Sequence, residues 1–170
     1  MNTLSQMERL INQINPNVDL IEAFDFASAA EDERIHVGHS FDEDFAQVIR
    51  DVYNKVGIHF HCSLETFALL HELGHIETLK DLHEEDYEDL MYHYAVGVDQ
   101  SKMADTDFGQ FYAYVNLPIE QMANDWAVTF IETHPSFVTD LDRIMVQYQK
   151  ELDDMSLSEY MAKMIISKVV

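Results

Sequence analysis

The chain has 170 residues and 47% hydrophobic content, enough to bury a core within one compact domain covering residues 1–170. Its formal net charge is −22, from 32 acidic against 10 basic side chains. Direct binding to nucleic acid or to an anionic membrane is therefore not expected, because phosphate groups would be repelled. No apolar run approaches the roughly 18 residues of a membrane span, and the N-terminal segment lacks the pattern of a signal peptide. With Cys62 as its single cysteine, the chain is expected to be cytoplasmic.

Two capping boxes predict where the first helices begin. The box Ser-Gln-Met-Glu predicts a short helix that is capped by Ser5 and ends before Pro16. The box Ser-Phe-Asp-Glu predicts a second helix, capped by Ser40 and covering about residues 41–55, with Gly57 after its end.

Three short segments alternate apolar and polar residues, which is the pattern of a strand with one buried face. We expect them to form one small sheet. The segments are residues 34–39, 56–62 and 110–116.

The remaining chain has helical periodicity. Helices are expected at 63–79, at 137–152 and at 156–168. A surface helix with one buried stripe is expected within the acidic insertion 81–107. Another helix is expected from Pro118 to about Glu132, with Asn116 as its cap. These elements predict a single α+β domain that is mainly helical.

The segment "FALLHELGHI" carries the pattern His-Glu-x-x-His on an apolar helix. His71 and His75 are four residues apart, so both imidazoles lie on one helix face and can share a zinc ion. Glu72 follows the first histidine and could accept a proton from water as the water attacks a carbonyl. The alternative is a core cluster whose members satisfy one another, but burying it without a ligand would be expensive.

A catalytic zinc needs three protein ligands and an open fourth position. Glu120 is the best third candidate, because Glu120, Ala123 and Ala127 form one helical stripe whose small residues permit a close approach. Asn124, one turn after Glu120, could accept the N–H of a metal-binding histidine. The alternative is a solvated glutamate on an ordinary amphipathic helix.

The segments "TFALLHELGHI" and "EQMANDWA" resemble the HExxH and E-x-x-A-N-x-F-A pair of the ImmA/IrrE-type metallopeptidases, within the gluzincin group of zincins. The resemblance covers about residues 56–132. It implies a zincin-like fold, zinc bound by His71, His75 and Glu120, and Glu72 as general base. It also implies a protein or peptide substrate such as a transcriptional regulator, and suggests a phage or mobile-element origin. The expected activity is that of a zinc-dependent endopeptidase.

Two other interpretations remain open. The first is an interaction or inhibitor protein on a zincin scaffold, whose acidic surface imitates a polyanion and whose metal is structural or absent; residues 18–51 and 77–107 are rich in acids. The second is a zincin relic without activity.

Some polar residues have roles that the sequence leaves open. His59 and His61 would face one side of a strand, as a second metal site, a substrate contact or exposed polar positions. The insertion 81–107 could cover the site or leave it open. Four residues are equal candidates for the donor to the oxyanion: Tyr112, Tyr114, His93 and His134.

Overall fold

The computed structural model describes residues 2–155 and Glu159. Within them the chain forms seven α-helices and one three-stranded sheet, so the expected α+β, mainly helical class is confirmed. The elements are α1 (Thr3–Ile11), β1 (Asp19–Glu22), β2 (Ala27–Ala29), a 3-10 turn (Ala30–Asp32), β3 (Arg34–Val37), α2 (Glu43–Val56), α3 (Leu64–Leu79), α4 (Glu84–Ser101), α5 (Asp107–Val115), α6 (Pro118–Thr133) and α7 (Pro135–Asp153). The helix expected at 156–168 falls outside the described residues apart from Glu159. None of the helices in the described part combines the length and apolar character needed to cross a membrane.

The sheet has the strand order β1-β3-β2, with β1 parallel and β2 antiparallel to β3. Leu20 of β1 and Ser28 of β2 both lie opposite Ile35. The prediction of a strand at 34–39 is confirmed over 34–37, whereas β1 and β2 were not expected. β2 reads Ala-Ser-Ala and lacks the β-branched and aromatic residues that mark strands. Because β2 is the last strand of the sheet, one of its edges is unpaired among the described residues.

The prediction of a strand at 110–116 is wrong, because this segment lies in α5. The side chain of Thr106 caps this helix, and Val115 is buried at its end. Asn116 does not cap α6 as expected; its side-chain amide donates to the carbonyl of Tyr112 at 2.6 Å. Helix α6 instead begins with Pro118 at its first turn and has no side-chain cap.

The prediction of a strand at 56–62 is also wrong. Gly57 has φ of +80°, which ends α2 in the left-handed conformation that favours glycine. The following residues form a loop without strand pairing. Phe60 holds this loop against α3 by stacking on Phe67, with ring centroids 4.1 Å apart.

Two helix caps differ from the prediction. The side chain of Asn2, not that of Ser5, caps α1. Asp42, not Ser40, caps α2. The carboxylate of Glu8 accepts a hydrogen bond from the backbone of β1 at 3.1 Å instead of closing a capping box. The cap of α1 lies outside the predicted box, whereas the cap of α2 is the third residue of its box rather than the first.

Helix α3 runs through the centre of the molecule and packs against α6. Leu69 and Leu73 are fully buried on α3, as expected for a central helix. A Cβ atom added at Gly74 would lie 2.7 Å from the carbonyl oxygen of Ala123 on α6. Glycine is therefore the residue that lets the two helices approach this closely.

Candidate metal centre

Helix α3 places two imidazoles on one buried face. His71 and His75 are one turn apart, and each is 8% exposed. Their Nε2 atoms lie 3.1 Å apart, with the rings nearly perpendicular. The Nε2 atoms of the two histidines therefore converge on one point.

Helix α6 brings a carboxylate to that place. Glu120 is in the first turn of α6 and is 1% exposed. Its Oε2 lies 3.0 Å from Nε2 of His71, and its Oε1 lies 3.6 Å from Nε2 of His75. Ligand atoms of these three residues all lie within 4.8 Å of one another, so the group can hold a metal ion.

Asn124 fixes the orientation of one imidazole. Its side-chain oxygen lies 2.8 Å from Nδ1 of His71. Since an amide oxygen only accepts, Nδ1 carries a proton and donates it. This contact leaves Nε2 of His71 directed at Glu120 and His75, as a metal ligand requires.

The charges of the site favour ionised side chains. Burial opposes ionisation of Glu120, but the hydrogen bonds and positive charges of His71 and His75 outweigh it and lower the pKa of its carboxyl from 4.5 to about 2. Burial likewise disfavours a charged His71, but its hydrogen bond to Glu120 and the negative charge of Glu72 outweigh burial and raise its pKa above 6.5. The Oε1 atom of Glu120 is buried, and its contact with Nε2 of His75 is long at 3.6 Å, so it can still accept a cation.

Glu72 lies between the metal-binding group and open space. It is half-buried and lines a cleft of about 440 Å³ together with His75. One wall of the cleft is formed by β2 and the 3-10 turn after it, and the other by α4. The volume is within the range of about 300–1,000 Å³ that is typical of ligand sites.

The acidic insertion 81–107 supplies the outer wall of this cleft through α4. Tyr87, Met91 and Tyr94 line it. The hydroxyl of Tyr87 donates to Glu31 on the opposite wall at 3.2 Å. The insertion therefore borders the cleft. Its hydrogen bond from Tyr87 to Glu31 joins the two walls.

Tyr114 is the oxyanion-donor candidate that the structure brings to the cleft. It lines the cleft with Glu72, and a hydroxyl–hydroxyl hydrogen bond of 3.2 Å links it to Tyr94. Burial and the charge of Glu120 raise the pKa of Tyr114 well above its ordinary value, so its hydroxyl stays protonated and can donate. No pattern in the sequence connects Tyr94 with Tyr114, because the contact depends on how α4 packs against α5.

The other three donor candidates lie elsewhere. Tyr112 is 39% exposed on α5, and His93 is exposed on α4, where it contacts Asp89. His134 stacks on Phe130 at the junction of α6 and α7. None of the three lines the cleft.

The histidines of the loop after α2 do not join the centre. His59 and His61 are both exposed, and they are not on a strand. Among the described residues they belong to no group of three side chains that could hold a metal ion. Exposed polar positions are therefore the interpretation that fits them.

The candidate metal centre is identified by the arrangement of its side chains. Two imidazoles and one carboxylate converge on a buried point, and a second carboxylate, that of Glu72, stands at the adjacent cleft. No protein family, characterised protein or solved structure matches this chain.

Proposed function

We propose that this protein is a zinc-dependent endopeptidase of zincin-like fold, of the kind that its ImmA/IrrE-like motifs imply. The observation that carries the proposal is the convergence of His71, His75 and Glu120 beside a cleft that Glu72 lines. Hydrolytic zinc sites use two histidines and one glutamate as metal ligands, together with a second glutamate nearby that does not bind the metal.

The spacing of the three ligand atoms supports zinc as the metal. Atoms that lie about 2.0–2.1 Å from one tetrahedral zinc ion are about 3.3 Å from each other. Nε2 of His71 lies 3.0 Å from Oε2 of Glu120 and 3.1 Å from Nε2 of His75, and Nε2 of His75 lies 3.6 Å from Oε1 of Glu120. A tetrahedral ion held by the two imidazoles and one carboxylate oxygen of Glu120 would therefore require only small side-chain adjustments.

In this proposal His71, His75 and Glu120 would hold zinc, which would polarise the carbonyl of the peptide bond to be hydrolysed. Glu72 removes a proton from the attacking water through its carboxylate and returns it to the nitrogen of the leaving amine. The Tyr114 hydroxyl, held by Tyr94, donates a hydrogen bond to the carbonyl oxygen as negative charge develops there. Asn124 keeps His71 in one tautomer throughout.

An extended polypeptide is the substrate class that suits the cleft. Ala27 and Ser28 of β2 line it, and because the outer edge of β2 is unpaired among the described residues, a peptide could bind there by adding a strand. Glu31 and Asp32 stand on the same wall, which favours a basic segment. A regulator protein, such as a transcriptional regulator, is the substrate that the resemblance implies.

The proposal is tested by metal content and by cleavage in parallel. Mass spectrometry of the full chain should find one zinc ion per chain, lost or weakened in His71→Ala and Glu120→Ala. Glu72→Gln should keep the zinc and lose cleavage of a peptide library. A wild-type chain that takes up no zinc even from added zinc salt would contradict the proposal.

A second candidate is an interaction protein whose acidic surface blocks a basic, nucleic-acid-binding partner. The observation in its favour is a run of exposed acids at the start of α4: Glu84, Glu85, Asp86, Glu88 and Asp89. Such binding would weaken steeply with added salt and would be unchanged in Glu72→Gln. Cleavage that depends on Glu72 would favour the peptidase.

A further inference from the structure

A groove lies on the side of α6 that is turned away from the metal centre. Met122 and Thr129 line it, and both lie on the opposite side of this helix from Glu120. Thr78, near the end of α3, lines it as well. Its volume of about 530 Å³ is within the range of about 300–1,000 Å³ that is typical of ligand sites. No described residue lines both this groove, which we call the α6 groove, and the cleft beside Glu72.

Three aromatic rings form a row along the α6 groove. Trp126 stacks on Phe130 with ring centroids 5.1 Å apart, and Phe130 stacks on His134 at 4.3 Å. The three residues are four positions apart, so successive turns of the helix place their rings on one side. Phe130 is buried in the middle of the row, whereas Trp126 is half-buried at its end. The exposed part of Trp126 can therefore receive a further planar group.

The hydroxyl protons of two threonines in the α6 groove are used by the backbone. Thr78 donates to the carbonyl of Gly74 at 2.7 Å, and Thr133 donates to the carbonyl of Thr129 at 2.7 Å. Both hydroxyl oxygens can therefore only accept a hydrogen bond from a ligand. Asp125 also lines the groove, and an ionised carboxylate accepts and does not donate.

The imidazole of His134 offers a further acceptor. Its Nδ1 lies 2.9 Å from the hydroxyl oxygen of Thr133 and 3.3 Å from the carbonyl oxygen of Phe130. Because the Thr133 proton goes to Thr129, both of these oxygens accept, and Nδ1 must donate. In the neutral ring Nε2 is then left unprotonated, as an acceptor.

The α6 groove is therefore rich in acceptors and has no positive charge of its own. Its described lining residues include no lysine or arginine, and only Thr129 and the indole N–H of Trp126 can still donate among them. Together with the net charge of −22, this inventory disfavours an anionic ligand and favours a cation that carries many donors. A guanidinium ion is such a cation: it is planar, has five N–H donors and no acceptor, and stacks on aromatic rings.

We propose that the α6 groove binds an arginine side chain of a partner protein. The guanidinium stacks on Trp126 and donates to the carboxylate of Asp125, while the rest of the groove holds the residues next to the arginine. Lysine fits less well, because its ammonium group is compact, strongly hydrated and not planar. The site goes beyond the proposed peptidase function and does not depend on it, since it uses no residue of the metal centre or of the cleft.

The chain carries its own probe and a matched pair of variants for this site. Trp126 is the only tryptophan in the sequence, so its fluorescence reports on the groove. Asp125→Asn keeps the shape of an exposed side chain and removes its charge. Glu132→Gln is the control, because Glu132 is exposed on the same helix and does not line the groove. Equal thermal midpoints and zinc contents show that both variants keep the fold.

The first measurement is a titration of the full, zinc-loaded chain with N-acetylargininamide, followed by Trp126 fluorescence. A saturable change of equal affinity is expected in wild type and Glu132→Gln, with about fivefold weaker binding in Asp125→Asn. N-acetylcitrullinamide, which has nearly the same shape without the charge, and N-acetyllysinamide should bind at least about fivefold more weakly than the arginine compound. No saturable change in wild type, equal affinity in Asp125→Asn, or equal affinity for either comparison compound would overturn the inference.

The second measurement separates a partner protein from a free guanidinium compound. It uses the Glu72→Gln chain, so that the peptide stays intact, and compares acetyl-Ala-Arg-Ala-amide with N-acetylargininamide. The peptide should bind more tightly by about threefold or more, because its neighbouring residues bury further apolar surface along the groove. Equal affinity of the two compounds would assign the groove to a free guanidinium compound and overturn the proposal of a partner protein.

Discussion

The side-chain oxygen of Asn124 accepts a hydrogen bond from Nδ1 of His71 at 2.8 Å, and this contact joins the two helices that carry the metal-binding group. It makes Nε2 the nitrogen that faces Glu120. The tautomer and ring angle of one ligand are thereby set by a residue that offers no ligand atom to the metal.

Asn124→Ala should therefore weaken zinc binding by about 10- to 100-fold while leaving the helices intact. Asn124→Asp should bind zinc at least as tightly as wild type, because it keeps the acceptor and adds negative charge. Competition with a zinc chelator measures both affinities. Equal affinity in Asn124→Ala and wild type would remove the orienting role.

Gly74→Ala should destabilise the fold, although alanine is the better helix former by about 1 kcal/mol. Its Cβ would meet the backbone oxygen of Ala123 at 2.7 Å, and backbone cannot move aside as a side chain can. We expect a net loss of about 1–3 kcal/mol in the free energy of unfolding and a weaker zinc affinity, since α3 and α6 are forced apart.

Gly97→Ala is the control for this substitution. Gly97 is also helical, but the atoms that its Cβ would meet belong to the flexible side chain of Leu117. It should cost less stability and leave zinc binding unchanged. Denaturant unfolding of both variants decides the comparison, and equal losses would contradict the role given to the α3–α6 contact.

The stability of the metal-free chain should depend on pH through His71 and Glu120. The pKa of His71 is raised above 6.5, so its contribution is present below pH 6.5 and is lost as pH rises through the raised pKa. The pKa of Glu120 is lowered from 4.5 to about 2, so its contribution is present above pH 4.5 and is lost as pH falls toward 2. The pair therefore stabilises the fold most between pH 4.5 and 6.5.

Zinc should reverse the loss of stability that is expected above pH 6.5. The ion binds Nε2 of His71 in place of the proton, so binding becomes tighter as the proton concentration falls. The rise in thermal midpoint on adding zinc should grow as pH increases from about 5.5 to 7.5. Thermal unfolding with zinc and with chelator, for wild type and His71→Ala, measures both effects. A zinc-induced rise that does not change with pH would argue against histidine ligands.

Tyr114→Phe should lower turnover by about 100-fold and leave zinc content unchanged, since it removes a donor that acts on developing charge. Tyr112→Phe is the matched control on the same helix, and its turnover should equal that of wild type because Tyr112 is exposed away from the cleft. If both variants turn over at the wild-type rate, the donor to the oxyanion lies elsewhere.

The metal-binding group could be assembled from the sequence because its signals are local. The spacing of His71 and His75 is a property of any helix, and the stripe of Glu120 with Ala123 and Ala127 marked a helix face that can approach another closely. What the sequence could not supply was the pairing of Tyr94 with Tyr114, which depends on tertiary packing.

The sheet was harder to predict, for a physical reason. In α5, Phe111 and Val115 fit an alternating pattern with Ala113 and a helical pattern with Tyr114, and the cap at Thr106 decides in favour of the helix. Strand β2 is formed by small residues whose pairing with β3 is determined by tertiary contacts rather than by their own preference.

The two walls of the cleft differ in how firmly they are built. Helix α3 behind Glu72 is buried along most of its length, whereas α4 in front buries only Ser101 among its residues. Since local stability follows burial, α4 should exchange its amide hydrogens much faster than α3. The cleft should therefore have a rigid rear wall, which carries Glu72 and His75, and a more mobile front wall. The width of the cleft should therefore vary through motion of α4 while His71 and His75 on α3 keep their positions.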